Sequence, residues 1–401
     1  MKRILFVDGD PDSIATLKRS LADAPEEWEA AYVQDEGAAL TELAKAPVDV
    51  LVSELTLPLL TGDEFLRVVR EKFPETVRVI LTAQSDRESI LRLAGAAHQY
   101  LSKPCDDKLL CDTIERALAL RGLVGNESLK RVVAQIQSLP SMPSLYMQML
   151  RELREPEPSI VKLGHLISQD MGMCTKMLQL VNSAFFGLPQ QLSNPVEAII
   201  YLGVEMVKNI IVSLQLFSMF DGVSVQNFSL ERLWAHSWLT GVLAKRIAQS
   251  EDLGAQADYA FIGGLVHDVG KLVLATGLPT QYQAIIDFHL LHHKPLGEVE
   301  QEFLGATHAE VGAYLLGLWG LPAPIVEAVA FHHRPSASPH QVFNLGTVLH
   351  VANVLEHEQH PDQNKVKPAP VDLPYLTELG LLERLDFWRD SVAPGAVKEA
   401  A

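Results

Sequence analysis

Twelve of the fourteen histidines in this 401-residue chain lie after residue 230. Such clustering points to metal or proton chemistry in the C-terminal half, because imidazole is the commonest metal ligand and titrates near physiological pH. His267 is followed directly by Asp268 in GGLVHDVGKLVL, and His332 and His333 are adjacent in FHHRP. Neutral imidazoles with carboxylates suit Fe, Mn, Zn or Ni, which make water a nucleophile near neutral pH. Lys271 follows His267 by one helical turn and is placed to face the same pocket and contact a phosphate. The competing reading is histidines satisfied by hydrogen bonds inside a helical core.

A second set stands in the N-terminal third. Asp8, Asp10, Glu54, Thr82 and Lys103 each lie at or just past the end of a short apolar run. Those runs, Arg3–Val7, Trp28–Val33, Asp49–Ser53, Val77–Leu81 and His98–Leu101, read as strands. They alternate with helical patterns over Pro11–Leu21, Glu36–Lys45, Gly62–Lys72, Asp86–Ala94 and Asp106–Leu120. Five βα units with continuous apolar strands imply an α/β domain with a doubly wound parallel sheet covered on both faces. Ligands of such sheets sit outside the carboxyl ends of the strands, where these polar residues lie.

After a linker over residues 122–138, no strand alternation remains. Amphipathic helical patterns follow at Ile160–Gln169, Gly172–Asn182, Pro195–Tyr201, Glu205–Phe217, Leu230–Ser250, Gln256–Thr276 and Leu278–His292. Others lie at Pro295–Leu304, His308–Leu318, Pro322–His332 and Phe343–His357. The expected organisation is an α/β domain over 1–121, an all-α domain over 139–357, and a tail over 358–401 with one helix, Asp372–Trp388. The segment Met171–Met177 reads as core packing. Phe185–Phe186 read as core or an inter-lobe contact, His289, His292 and His293 as a solvated helix face, and His357 and His360 as surface.

The net charge of −17 argues against a general nucleic-acid or anionic-membrane binder. Cys105, Cys111 and Cys174 have no metal-type spacing and read as free thiols of a reduced cytoplasmic protein. No signal-peptide pattern opens the sequence, and no unbroken apolar run reaches the roughly 18 residues that span a bilayer.

VDGDP (Val7–Pro11), SELTLPLLTG (Ser53–Gly62), LTA (Leu81–Ala83) and YLSKP (Tyr100–Pro104), in that order, resemble the receiver domain of bacterial response regulators. The resemblance spans the whole first domain and implies a flavodoxin-like fold. It also implies a phosphoryl-accepting aspartate after the third strand, and Mg²⁺ held by that aspartate and an acidic pair. A Thr and a Lys would hold the phosphoryl oxygens. Here Glu54 stands at the acceptor position and Asp8–Gly9 at the acidic pair, with Asp10 the neighbour that could replace the missing carboxylate. Thr82 and Lys103 match the phosphoryl contacts, and Thr82 with Tyr100 the coupled switch residues. Phosphoryl transfer needs in-line positioning and metal charge, and a lost carboxylate weakens a hard-cation site. These departures imply poor Mg²⁺ binding and no ordinary phosphorylation. Glu54 either reaches Lys103 and imitates the phosphorylated state, or belongs to a pseudo-receiver that serves only as an interaction module.

LPSMPSL (Leu139–Leu145), LVNSAFFG (Leu180–Gly187), AIIYLG (Ala198–Gly203) and the His267–Asp268 segment together look like an HDOD domain, a relative of the HD phosphohydrolases. The resemblance implies a divalent metal site drawn from His236, His267, Asp268, His308, His332 and His333. Its final aspartate is replaced by Asn353, an upstream acid by Arg232, and the GYP signature of cyclic-di-GMP-cleaving relatives is absent. The chain therefore resembles a two-component regulator joining a receiver to an HDOD output domain. Two functions stay open. One is a non-enzymatic adaptor that binds a kinase, cyclase or phosphodiesterase-type partner or a nucleotide second messenger. The other is a metal-dependent phosphohydrolase of nucleotides or cyclic dinucleotides. The resemblance also implies homodimerisation through the receiver's last two helices.

Overall fold

Continuous apolar runs form the strands of the first half: β1 (Lys2–Val7), β2 (Trp28–Val33), β3 (Val50–Ser53), β4 (Val77–Ala83) and β5 (Gln99–Lys103). All pair in parallel in the order β2-β1-β3-β4-β5, the doubly wound arrangement expected. The structure is a computed structural model. It describes the chain except residues 22–24, 26, 59–61, 84–96, 121, 123, 137–142, 154, 156, 183–190, 205–206, 208–224, 255, 361–369 and 392–401. The expected helix Asp86–Ala94, most of Glu205–Phe217, and Phe185–Phe186 lie outside the described residues.

Helices α1 (Pro11–Ser20), α2 (Glu36–Lys45), α3 (Gly62–Lys72) and α4 (Asp107–Leu120) accompany the sheet. The all-helical part runs through α5 (Glu127–Gln135), α6 (Pro143–Glu152), α7 (Ile160–Ser168), α8 (Met171–Val181) and α9 (Pro195–Leu202). It continues with α10 (Leu230–Ser250), α11 (Gln256–Val266), α12 (Val269–Gly277), α13 (Pro279–His292) and α14 (Leu296–Leu304). Helices α15 (His308–Leu318), α16 (Ala323–Phe331) and α17 (Leu345–Gln359) complete it. Met171, Met173 and Met177 are buried core residues, as expected. One hydrophobic core extends from the sheet into the helical part.

Two glycine pairs bring the site-bearing helices together. A Cβ on Gly264 of α11 would lie 2.5 Å from the Gly241 backbone of α10. A Cβ on Gly270 of α12 would lie 1.9 Å from the His308 carbonyl oxygen, beside Gly312 of α15. Backbones this close exclude any side chain between them.

Two expected helices are each broken in two. Gln256–Thr276 divides into α11 and α12, with His267 and Asp268 in the turn. The His267 ring donates from Nδ1 to the Gly264 carbonyl at 2.7 Å, the acceptor a continuous helix would give to the residue 268 amide. The stretch Gln256–Gly277 is long and apolar enough to cross a membrane, but 78% of its most apolar window is buried inside the protein. The tail helix Asp372–Trp388 divides into α18 (Leu373–Glu378) and α19 (Arg384–Ser391). Gly380, at φ +69°, donates to Thr377 O at 3.0 Å, and Leu381 to Leu376 O at 2.8 Å, closing α18. Trp388 is then fully buried, its indole donating to Glu251 at 2.7 Å.

Candidate functional site

At the carboxyl ends of β1, β3 and β5, Lys103 Nζ donates to Asp8 Oδ2 at 2.6 Å and forms an ion pair with Glu54. Glu54 also accepts from the Leu55 amide at 2.8 Å, and Asp8 from Ser13 Oγ at 2.5 Å. Burial works against the Lys103 charge, but the two carboxylates raise its pKa overall. Asp10 does not supply the missing carboxylate. Its exposed side chain caps α1 by accepting from the Asp12 amide at 3.1 Å, and only its amide reaches Asp8. Thr82 is buried at the carboxyl end of β4, and Tyr100 is buried near the start of β5. Burial raises the Tyr100 pKa, so the phenol stays neutral.

The second cluster lies between the ends of α10 to α12 and α15 to α17. Four imidazoles share one arrangement, each with Nδ1 facing an acceptor. His236 faces Glu356 Oε2 at 2.5 Å, His267 faces Gly264 O at 2.7 Å, His308 faces Glu300 Oε2 at 2.5 Å and His332 faces Val329 O at 2.7 Å. A neutral imidazole donating from Nδ1 carries its lone pair on Nε2. All four Nε2 atoms converge on the buried Asp268 carboxylate. Oδ2 lies 3.5 Å from His236 and 3.4 Å from His267; Oδ1 lies 3.3 Å from His308 and 3.8 Å from His332.

This donor set fits a divalent metal. His236 Nε2 and His267 Nε2 stand 3.1 Å apart, and His308 Nε2 and His333 Nε2 stand 2.9 Å apart, so ring nitrogens face each other. Asp268 Oδ1, His332 Nε2, Asn353 Oδ1 and Glu356 Oε1 are buried without a hydrogen-bond partner. Orphaned buried acceptors are costly, and a cation among them would satisfy several at once. Burial lowers the pKa of His267, His332 and His333, keeping them in the ligating neutral form. Burial opposes charge on His308 too, but Glu300 raises its pKa overall. Burial also opposes charge on Asp268, yet the surrounding His267 and Lys271 hold its carboxyl well below the usual range.

Every metal-ligand position expected from the sequence reaches this cluster or its edge; Asn353 lines the cavity above it. Lys271 does not stand free for a phosphate, because its ammonium holds Asp268 Oδ2 at 2.6 Å. His357 is not a surface residue. Its ring stacks on His236 with centroids 4.5 Å apart, and burial pushes its pKa down to about 3. His360 is half-buried at the cavity rim, 3.1 Å from Glu356 O through Nδ1. His292 and His293 are exposed as expected, whereas His289 lines the cavity. His350 is a strut, facing His332 O at 2.8 Å through Nδ1 and accepting from the Asp372 amide at 2.9 Å.

Sequence reasoning missed Glu300 and Glu356, the buried carboxylates behind His308 and His236. Asn353, Glu356, His357 and His360 fall at i, i+3, i+4 and i+7 of α17, a spacing that could have revealed Glu356. Glu300 belongs to another helix and carries no such signal. Above the cluster opens a cavity of about 590 Å³. His236, Asp268, His308, His333 and His357 form its floor, Phe228, Leu233, Ile286 and Leu290 its apolar wall, and Arg232 and Arg334 contribute cations.

The chain matches the response regulator receiver domain family over residues 4–115 and the HDOD domain family over residues 139–335. It is 28% identical over 225 residues to an uncharacterized protein of Treponema pallidum, covering 56% of this chain and 43% of that one. It is 35% identical over 125 residues to the hydrogenase transcriptional regulatory protein HoxA of Cupriavidus necator, covering 31% of this chain and 25% of the relative. The chain thus spans less than half the length of either. Among solved structures, a virulence factor of Campylobacter jejuni is 17% identical with a TM-score of 0.50, covering 67% of this chain and 97% of that one. That likeness concerns the fold alone.

Proposed function

This chain belongs to the response regulators that join a receiver domain to an HDOD domain, and we propose that its output is metal-dependent recognition of a phosphate-bearing signalling molecule. The receiver is read as a cytoplasmic signalling module held in one state. Lys103 already bridges Asp8 and Glu54, occupying the place between carboxylates that a phosphoryl group and Mg²⁺ would otherwise share with it. Glu54 in this reading stands in for the phosphorylated acidic residue.

The observation that carries the reading is the convergence of four imidazole Nε2 atoms on Asp268 beneath an open cavity. His236, His267, Asp268, His308, His332 and His333 would hold the metal. When bound, a divalent metal supplies Lewis-acid attraction for an anionic ligand oxygen. Glu356 and Glu300 orient His236 and His308 from behind. Lys271 offsets the Asp268 charge, Arg232 and Arg334 draw an anion toward the cavity, and its apolar wall excludes water from the ligand body.

A hydrolytic reading is favoured by one feature, the open cavity directly over the ligand set. Recognition without turnover is favoured by Asn353 and Arg232, which leave Asp268 the only carboxylate among the proposed ligands. Zn²⁺- or Mn²⁺-loaded protein should bind nucleotides or inorganic phosphate in calorimetry and leave a nucleotide panel uncleaved. Cleavage with multiple turnovers would replace recognition with catalysis, and no metal-dependent anion binding would remove both readings.

A further inference from the structure

Helix α15 belongs to two places at once. Its first residue is His308, which faces Asp268 and Glu300. The helix is 11 residues long, about 16 Å. It packs against α4 of the receiver and against α5, and a Cβ on Gly320, just beyond its end, would lie 3.8 Å from Gln99 Cδ of β5. Trp319 holds Lys176 of α8 over its ring at 4.9 Å.

The receiver meets this end through a buried polar joint. Arg78 of β4 is 2% exposed. It donates to the Ala134 carbonyl at 3.0 Å, in the last turn of α5 where helical carbonyls lack partners. His98, just before β5, accepts from the Arg78 amide through Nδ1 at 2.9 Å, and Gln179 of α8 donates to His98 O at 3.0 Å. Displacing any member would strand a buried polar group, so the joint holds as a unit. The far ends of the same two strands carry Thr82 and Lys103.

We propose that α15, joined to β4 and β5 through this interface, couples the Asp8–Glu54–Lys103 pocket to the metal site at Asp268. The inference rests on the metal reading above. A change in the charge balance at Lys103 shifts β5, the shift passes through His98 and Gln99 to the end of α15, and α15 carries it to His308. The close backbone contact of Gly270 with His308 and Gly312 leaves no slack at that end, so the shift passes on to the start of α12 and the Asp268 turn, changing the ligand set as a whole against His236 and His332. By thermodynamic reciprocity, metal binding must also alter the receiver pocket.

The test is Zn²⁺ affinity of the full chain, measured by chelator competition, for wild type, Lys103→Met and Glu54→Gln. Both receiver variants should shift the Zn²⁺ Kd by about five-fold or more, although neither touches the metal site. In the Gln179→Ala background, which removes one contact of the joint, the shift should shrink. If wild type binds no Zn²⁺, the metal reading itself fails. If wild type binds Zn²⁺ and neither receiver variant changes the Kd, the coupling is overturned while the metal site stands. A shift undiminished in the Gln179→Ala background overturns the route through this joint.

Discussion

Replacing Gly270 with alanine should dismantle the proposed metal site without altering any of its proposed ligands. The added Cβ would stand 1.9 Å from the His308 carbonyl oxygen and 2.8 Å from the Gly312 amide nitrogen. Ordinary contact starts at 3.4 Å, and both obstacles are backbone, so α15 must retreat by about 1.5 Å. His308 Nε2 is now 3.3 Å from Asp268 Oδ1. Metal–ligand distances tolerate only about 0.2 Å, so such a retreat removes His308 from any shared ion. The expected loss is about 100-fold in Zn²⁺ affinity, near 2.7 kcal/mol, with about 1–3 kcal/mol of stability lost to overpacking. Gly263→Ala is the control, because its Cβ meets only Leu349 Cδ2 at 3.8 Å. Chelator competition and denaturant unfolding read the two quantities. Zn²⁺ affinity unchanged in Gly270→Ala would refute the claim that this contact sets the ligand geometry.

Glu356→Gln should weaken Zn²⁺ binding by about 10- to 100-fold, because the carboxylate behind His236 is lost while the ligands stay; an unchanged Kd would deny Glu356 that role. Asn353→Asp should tighten metal binding by about tenfold and destabilise the metal-free protein, since Asn353 Oδ1 is already buried without a partner. Unfolding with and without chelator measures both. Burial, with Arg78 beside it, holds His98 well below its ordinary pKa, so the folded state keeps it neutral. The unfolded chain protonates it below about pH 6.5, so its contribution makes stability fall as pH drops below that value and leaves it unchanged above. His98→Asn should therefore flatten the pH dependence of unfolding by about 1.4 kcal/mol per pH unit between about pH 6 and 5. An equally steep slope in the variant would show that His98 is charged in the folded protein.

The parallel sheet was legible because strands buried on both faces read as unbroken apolar runs, as ILFV before Asp8 does. The cluster of His236, His267, Asp268, His308, His332 and His333 was legible by residue type, though nothing in the spacing reveals how the six converge. That convergence depends on the Gly241–Gly264 and Gly270–Gly312 approaches, whose partners are distant in sequence. The break at His267–Asp268 was hidden because a side chain, not a proline, takes the backbone acceptor. Glu300 was missed because a carboxylate behind a ligand needs no fixed spacing from it, and Glu356 because the helical face it shares with Asn353, His357 and His360 was not read as one. Gly380 did mark the end of α18, but the apolar pattern on both sides masked it.

Metal content of the purified 401-residue chain tests the central claim most directly. After Zn²⁺ loading and removal of free ion, mass spectrometry of the intact protein and elemental analysis should find at least about one equivalent per chain. Asp268→Ala, which removes the carboxylate on which the four imidazoles converge, should retain almost none. A wild-type chain that stays metal-free after loading, or an Asp268→Ala chain that holds as much as wild type, would contradict the account.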